Sequence, residues 1–470
     1  MEASASISSN NNEYQCVNLQ NSEDPWNLEE AAKKIAALQI EDEKVLSITE
    51  DMIVSVMHSD PEEQLNGTRK FRRLLSSQEP HIDEIIKLGM VPIFVGFLKT
   101  ENPKLQSEAA WVLTNIANGN VDQTRVIIEA SAVRELVKLL YSPNEELQEI
   151  CIWALANIAG TNETFRNFVH FSGIMIPLLN LLSKTSKMSI IKTGVWALRN
   201  LCRGKNPQPE LMKITPVVRA LAKLLHHNDP EVIVDICFAI SYVCECGDDY
   251  IQTVIDSGVG RRFIDLLSHH SADVVYSVLR AVGHIFIATN VNVGCLLDCI
   301  ALIALRHLLF ANNAIIRRTT CWALSNVTAG DKSQLQRVID TAIFPRIIEI
   351  ILSQSTDTKE RHDALWVIRN AIFASNFQQT KYLVGIGLMA ALCECLSISQ
   401  IENFKTINLA LNSLSKVLEI GTENLHSMID MNSLVSVLKP KLDYLTISGA
   451  LNRNEEFILI QEYLNNYQRC

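Results

Sequence analysis

The chain is poor in aromatic residues and has no C-x-x-C pair, no glycine-rich phosphate loop, no long apolar run and no excess of basic charge. Each absence removes a class of protein. Aromatics are 6% of 470 residues although apolar residues reach 48%. A sheet protein would draw more on Phe, Tyr and Trp, so a core of Leu, Ile, Ala and Val points to packed helices. A net charge of −10 lacks the concentrated basic surface that nucleic acid requires and suits a basic partner better. The longest apolar stretch, CLLDCIALIALRHLLF, is interrupted by Asp298 and Arg306 and is too short to span a membrane. The opening MEASASISSNNNEYQ has neither a positive region nor an apolar run, so it does not read as a signal peptide, and a soluble, intracellular chain is expected. The 12 cysteines are scattered; Cys244, Cys246, Cys393 and Cys395 lie in helical runs where a thiol acts as a small hydrophobe, and reduced thiols are expected. No nucleophile and base converge in any motif, so no enzyme, cofactor or metal is expected. His226-His227 and His269-His270 recur in loops about a repeat apart, too far to share an ion.

What the sequence does contain is a repeat. At 470 residues the chain exceeds one compact core and must form several domains or a stacked array. An aromatic position steps through Trp111, Trp153, Trp196, Phe238, Arg280, Trp322, Trp366 and Leu409, a period of about 42 residues that lies in the armadillo and HEAT range. Four residues on, an amide position reads Asn115, Asn157, Asn200, Tyr242, His284, Asn326, Asn370 and Ser413. Residues four apart share a helix face, so each Trp/Asn pair looks out side by side. Gly119, Gly160, Gly204, Gly247 and Gly330 follow this helix, where left-handed C-caps belong. Pro92, Pro177, Pro216 and Pro345 open the next apolar helix. Each unit therefore reads as a short helix, a proline-started second helix and a third helix carrying the Trp/Asn pair. One unit cannot bury its own apolar faces, so the units must stack as a superhelix, with one helix of each lining a concave surface.

A groove lined by those third helices would present indole walls about one repeat apart, with slots between them and an asparagine at the foot of each wall. An extended peptide is a row of N–H and C=O groups, and an asparagine amide offers both a donor and an acceptor, so the asparagines can hold a backbone without reading its sequence. The slots do the reading: Lys or Arg lays its stem against the indoles and gains about 0.5–2 kcal/mol of cation–π attraction. Glu231, Asp235, Phe238 and Tyr242 fall on one helix face, two carboxylates leading into two aromatics. A single W-x-x-x-N would be ordinary helix packing; five in one register are expected to form a binding ladder.

These repeats resemble importin-α (karyopherin-α), the adaptor family that recognises basic nuclear localisation signals, from ITEDMIVSVMHSDPEEQLNGTRKFRRLL to NRNEEFILIQEYLNNY. The resemblance implies an all-α, right-handed superhelical solenoid of armadillo repeats. It assigns Trp111, Asn115, Trp153, Asn157, Trp196 and Asn200 to a major signal-binding site, with Thr124 lining its key lysine pocket. Thr161 stands where the family places an aspartate that pairs with the central lysine. Glu231, Asp235 and Tyr242 match the far end of that site, and Arg280, Trp322, Ser325, Asn326, Asp363, Trp366 and Asn370 match a minor site. The interruption from Phe238 to His284 separates the two sites and suits a two-part signal.

The departures from the family pattern concern charge. Thr319 replaces a glutamate, Ile150 a glutamine and His284 an asparagine. Arg199 and Arg369 replace small residues, and a guanidinium beside a cation-binding slot is repulsive unless an acid neutralises it. The stretch PWNLEEAAKKIAALQIEDEK lacks the Arg/Lys-rich segment with which the family binds importin-β and inhibits its own groove. Importin-β is therefore only a possible partner, whereas NEEFILIQEYL resembles the element used in recycling by an export receptor. The expected organisation is a mostly disordered segment over 1–47, an array over 48–438 and a helical cap over 439–470. The expected function is a nuclear import adaptor, cytoplasmic and nuclear, that binds Lys/Arg-rich signals of cargo proteins. The alternative is a scaffold or decoy whose groove is not coupled to importin-β.

Overall fold

The computed structural model describes residues 47–77, 80–288, 299–396, 404–421, 431–447 and 455–469. The disordered segment expected over 1–47 lies outside the described residues except for Ser47. Every regular element described is α-helical, and the chain divides between Arg262 and Phe263 into two compact units. In the first, the long helices are α1 (Pro61–Leu75), α2 (Pro103–Ala117), α3 (Glu145–Thr161), α4 (Met188–Cys202) and α5 (Pro230–Cys244). In the second they are α6 (Ala272–Ile285), α7 (Ala314–Thr328), α8 (Thr358–Ala374) and α9 (Phe404–Gly421). Within each unit every long helix packs on the next, with shorter helices laid against them.

The starts of the long helices are written locally. Asp60, Asn102, Asn144, Asp229, Asn313 and Asp357 accept hydrogen bonds from first-turn N–H groups of α1, α2, α3, α5, α7 and α8. Pro61, Pro103 and Pro230 follow three of these caps, where a missing N–H costs little. This Asx-Pro pair is a clear helix start in the sequence. Of the prolines expected to open helices, Pro92 and Pro345 open Val91–Phe97 and Phe344–Leu352. Pro177 falls slightly inside Met175–Lys184, and Pro216 lies well within Leu211–Leu224, because that helix begins earlier, behind Glu210. The recurring histidines close the turns before the caps: Nδ1 of His58, His227 and His269 accepts the N–H of Asp60, Asp229 and Ser271 at 3.0, 3.0 and 3.1 Å.

The glycines do three different jobs. Only Gly204 (φ +86°) and Gly247 (φ +118°) among the five expected caps are left-handed. Gly119 and Gly330 instead leave room for Gln123 and Gln334, which fold back in the capping boxes that start Val121–Glu129 and Lys332–Asp340. Gly160 is inside α3, where an added Cβ would lie 3.2 Å from Nδ2 of Asn200.

Long helices buried between neighbours are apolar nearly all round. On α4, Ile190, Val195, Ala197, Leu198, Leu201 and Cys202 are all buried. Arg166 is buried too, and its guanidinium donates to the carbonyls of Arg203, Gly204 and Pro207, fastening the loop that follows α4. At the other end, Glu455–Arg469 buries Phe457, Ile460 and Leu464 and packs on α9 and on Met431–Ile447. The boundary expected at 438/439 falls inside that last helix, which continues through Pro440.

Packing is close where α6 meets α7. A Cβ on Gly283 would lie 2.2 Å from Cζ3 of Trp322, whose indole is 4% exposed. Gly283→Ala is expected to destabilise the protein by about 1–3 kcal/mol through overpacking. Gly96→Ala, which meets nothing within 4 Å, should be neutral or stabilising by up to about 1 kcal/mol. Urea unfolding followed by circular dichroism on both variants checks the contrast.

Candidate functional site

The amide position is a rung between repeats. Nδ2 of Asn157 donates to Thr114 O at 3.3 Å and Nδ2 of Asn200 to Ala156 O at 3.1 Å. In the second unit Nδ2 of Asn326 donates to Gly283 O and Nδ2 of Asn370 to Ser325 O, both at 2.9 Å. Every acceptor is the carbonyl just before the amide position of the preceding long helix. Asn115 uses Ser76 Oγ instead, at 3.1 Å. Each amide has two N–H donors and one carbonyl, so one rung bond leaves a donor and an acceptor over. Asn157 is half-buried and its Oδ1 has no donor among the described residues, whereas Oδ1 of Asn200 is buried without a partner.

The indoles do not form parallel walls. Trp111, Trp153 and Trp196 are half-buried on α2, α3 and α4, but the rings of Trp111 and Trp153 meet edge to face at 5.2 Å and 62°. An alkyl stem held between two ring faces needs them about 7–8 Å apart, twice a carbon contact distance. The expected slot between these two is therefore closed, by the edge-to-face geometry that aromatic quadrupoles favour. A side chain can lie on the open flank of the pair. Trp322 is packing rather than wall: it fills the space over Gly283 and meets His284 edge-on at 5.0 Å. Trp366 is half-buried and oriented by its own helix, with Nε1 donating to Nε2 of His362 at 3.1 Å. That bond places the histidine proton on Nδ1, which lies 3.0 Å from Thr406 Oγ1. Burial, with Lys405 and Arg318 nearby, holds the His362 pKa below its ordinary value and keeps the ring neutral at pH 7.

Other expected site residues are spent internally. Thr124 is fully buried and its hydroxyl bonds Asn120 O at 3.0 Å, so it lines no open pocket. Ser325 is buried with Oγ on Trp322 O, and Thr161 ends α3 half-exposed with Oγ1 on Asn157 O. Tyr242 stacks on Phe238 at 6.3 Å, and Arg280 is half-buried on α6.

The acidic face is neutralised from within. Glu108 on α2 pairs with Arg69 and Arg72 of α1. Glu231 on α5 pairs with Lys192 of α4 at 2.7 Å, and Asp235 with Arg199 at 2.9 Å. On α8, Glu360 pairs with Arg317 of α7 at 2.6 Å and Asp363 with Arg318 at 2.9 Å. Carboxylate on one long helix and cation on the helix before it is thus a recurring arrangement. Sequence reasoning missed Lys192, Arg317 and Arg318; the signal was their separation from the acids by about one repeat, which only a known register reveals.

Burial raises the pKa of Asp363 from 3.8 to about 6, against the pull of Arg318. Between those values the folded chain keeps a proton that the unfolded chain has lost, so this group's stabilisation is full below pH 3.8 and is lost as pH rises through about 6. Asp363→Asn should therefore gain stability relative to the parent protein on going from pH 4.5 to 7.5, by about 1–3 kcal/mol. Urea titrations of both proteins across that range check the sign.

The Armadillo/beta-catenin-like repeat family matches residues 77–118 and 120–160. Importin subunit alpha-1a of Oryza sativa subsp. japonica is 41% identical over 309 residues, covering 65% of this chain and 59% of the rice protein. Importin subunit alpha-1b of the same plant is 39% identical over 373 residues, covering 79% and 69%. The chain thus spans about three fifths to two thirds of the length of these relatives. An engineered protein of known crystal structure superposes with a TM-score of 0.76 at 22% identity, over 88% of this chain and 98% of its own, and shares the fold. With armadillo repeats in both sequence and structure, and that identity over most of its length, the chain belongs to the importin subunit alpha family.

Proposed function

We propose that the chain is a nuclear import adaptor whose long helices bind Lys/Arg-rich nuclear localisation signals of cargo proteins. The observation that carries this reading is the asparagine rung, repeated in one register beside a half-buried indole on α2, α3, α4 and α8. The rung fixes each amide, and at half-buried Asn157 it leaves a donor and an acceptor for a passing backbone. The open faces of Trp111, Trp153 and Trp196 receive the stems of basic side chains. Thr124 and Trp322 take no direct part, because both are buried in the scaffold. An adaptor of this kind works in cytoplasm and nucleus, with importin-β and a recycling export receptor as candidate carriers. Family membership supports that setting.

Affinity at the centre of the site is set by Thr161, a hydroxyl at the end of α3 where a carboxylate would answer a lysine. Thr161→Asp is expected to tighten a single-cluster basic peptide by about 1–3 kcal/mol, the worth of a charge-assisted hydrogen bond. Trp153→Ala should weaken it about 2- to 30-fold, the range of one cation–π contact. Calorimetric titration of both variants decides the matter: basic peptides that bind neither more tightly to the first nor more weakly to the second are not held by this face.

A further inference from the structure

The residue before the amide position is small at most rungs: Thr114, Ala156, Ser241, Gly283 and Ser325. Its carbonyl is the acceptor for the next rung at Thr114, Ala156, Gly283 and Ser325. Three positions break the pattern: Asn412 with an amide, and Arg199 and Arg369 with a cation. Both arginines stand where the asparagine run stops, since the next amide positions are Tyr242 and Ser413.

Each arginine is folded over the local aromatic. The guanidinium of Arg199 sits 4.3 Å from the ring centroid of Phe238, the residue at the indole position of α5, and its Nη1 donates to Asp235 Oδ1 at 2.9 Å. The pair is buried, with side chains 5% and 18% exposed. In the second unit the guanidinium of Arg369 lies 4.0 Å from the ring of Phe373 and 5.6 Å from that of Trp366, and its Nη1 donates to Oδ1 of Asn370 at 3.2 Å. In the first unit an aromatic face and a carboxylate that would receive a basic side chain already hold one. In the second, an aromatic face and the leftover amide acceptor are engaged in the same way.

We propose that Arg199 is a specificity-determining residue: a resident cation that occupies the last position of the first ladder, so that the groove accepts basic side chains over α2, α3 and α4 and refuses one beside Phe238 on α5. This rests on the peptide-binding function proposed above. The charge arithmetic sets the preference. A lysine arriving beside Phe238 must displace a guanidinium from both its ring and its carboxylate, or sit next to it as a like charge. A neutral or acidic side chain meets neither obstacle. The consequence is a signal whose basic residues are fewer, and confined to one end, compared with a ladder open along its full length.

The test uses the full chain and a fluorescein-labelled peptide of five lysines flanked by glycines, read by fluorescence anisotropy. Arg199→Ser opens the position, and Arg199→Gln removes the charge while keeping most of the bulk, so that a folding defect in the first does not end the experiment. Both should bind the peptide about tenfold more tightly than the parent protein, the worth of a freed aromatic face and carboxylate. Trp153→Ala, two repeats before Phe238 in the register, serves as the control for the binding face itself. If both arginine variants keep the parent's helical content and melting temperature and bind no better, while Trp153→Ala still weakens binding, the resident-cation role is wrong and the binding face stands. Absence of binding by every protein in the series overturns both.

Discussion

The close approach of successive long helices at one residue per repeat is the constraint on which the rest of this structure depends. A backbone carbonyl of one helix must come within hydrogen-bonding distance of an asparagine on the next, and only small side chains beside that carbonyl permit it. Thr114, Ala156, Gly283 and Ser325 satisfy the condition, and Gly160 clears the same region on α3. Without a Cβ on Gly283 the indole of Trp322 can lie across the α6 backbone, which is why that tryptophan belongs to the core. Each rung thereby pairs a buried amide N–H with a carbonyl of the preceding helix. The same bonds fix the direction in which the remaining amide groups point.

Charge follows the same inter-repeat logic. The acids on α2, α5 and α8 are each met by a cation from the helix before, so the face is less negative than the sequence suggests. A basic ligand therefore competes with resident partners and gains less from simple Coulomb attraction than a bare carboxylate would provide. Discrimination then depends on which pairs are buried. Glu360, 2% exposed beside Arg317, is scaffold, whereas Glu231 beside Lys192 is 56% exposed and can exchange partners.

How much of this was legible in the sequence differs by scale. The period, the register of the Trp and Asn positions and the helical class could all be read because they are translational: one unit repeated with its punctuation. Side-chain direction could not, because it depends on distances between repeats. Five tryptophans in register looked equivalent, yet Trp322 is buried over a glycine one repeat earlier, and Trp111 leans into Trp153. The asparagines were read as groups facing a ligand, and their first bond is to the neighbouring helix. Glycine illustrates the same limit, since Gly204 and Gly247 serve the backbone while Gly119, Gly160 and Gly330 serve a neighbour's side chain. The danger of Arg199 was visible as a cation near a cation site, and its neutralisation by Asp235 was not.

The rung bonds join residues 43, 44, 43 and 45 positions apart, and all four close. Repeat length thus varies while the distance between rungs stays tied to helix contact, with the extra residues taken up between the long helices. The protein behaves as a ruler whose graduations are engraved on the long helices and whose spare length is stored elsewhere. Insertions or deletions in the turns between helices can accumulate without altering the spacing that a bound chain would sense. A single residue added between an Asx cap and its rung would rotate the asparagine by about 100° around its helix and erase one graduation.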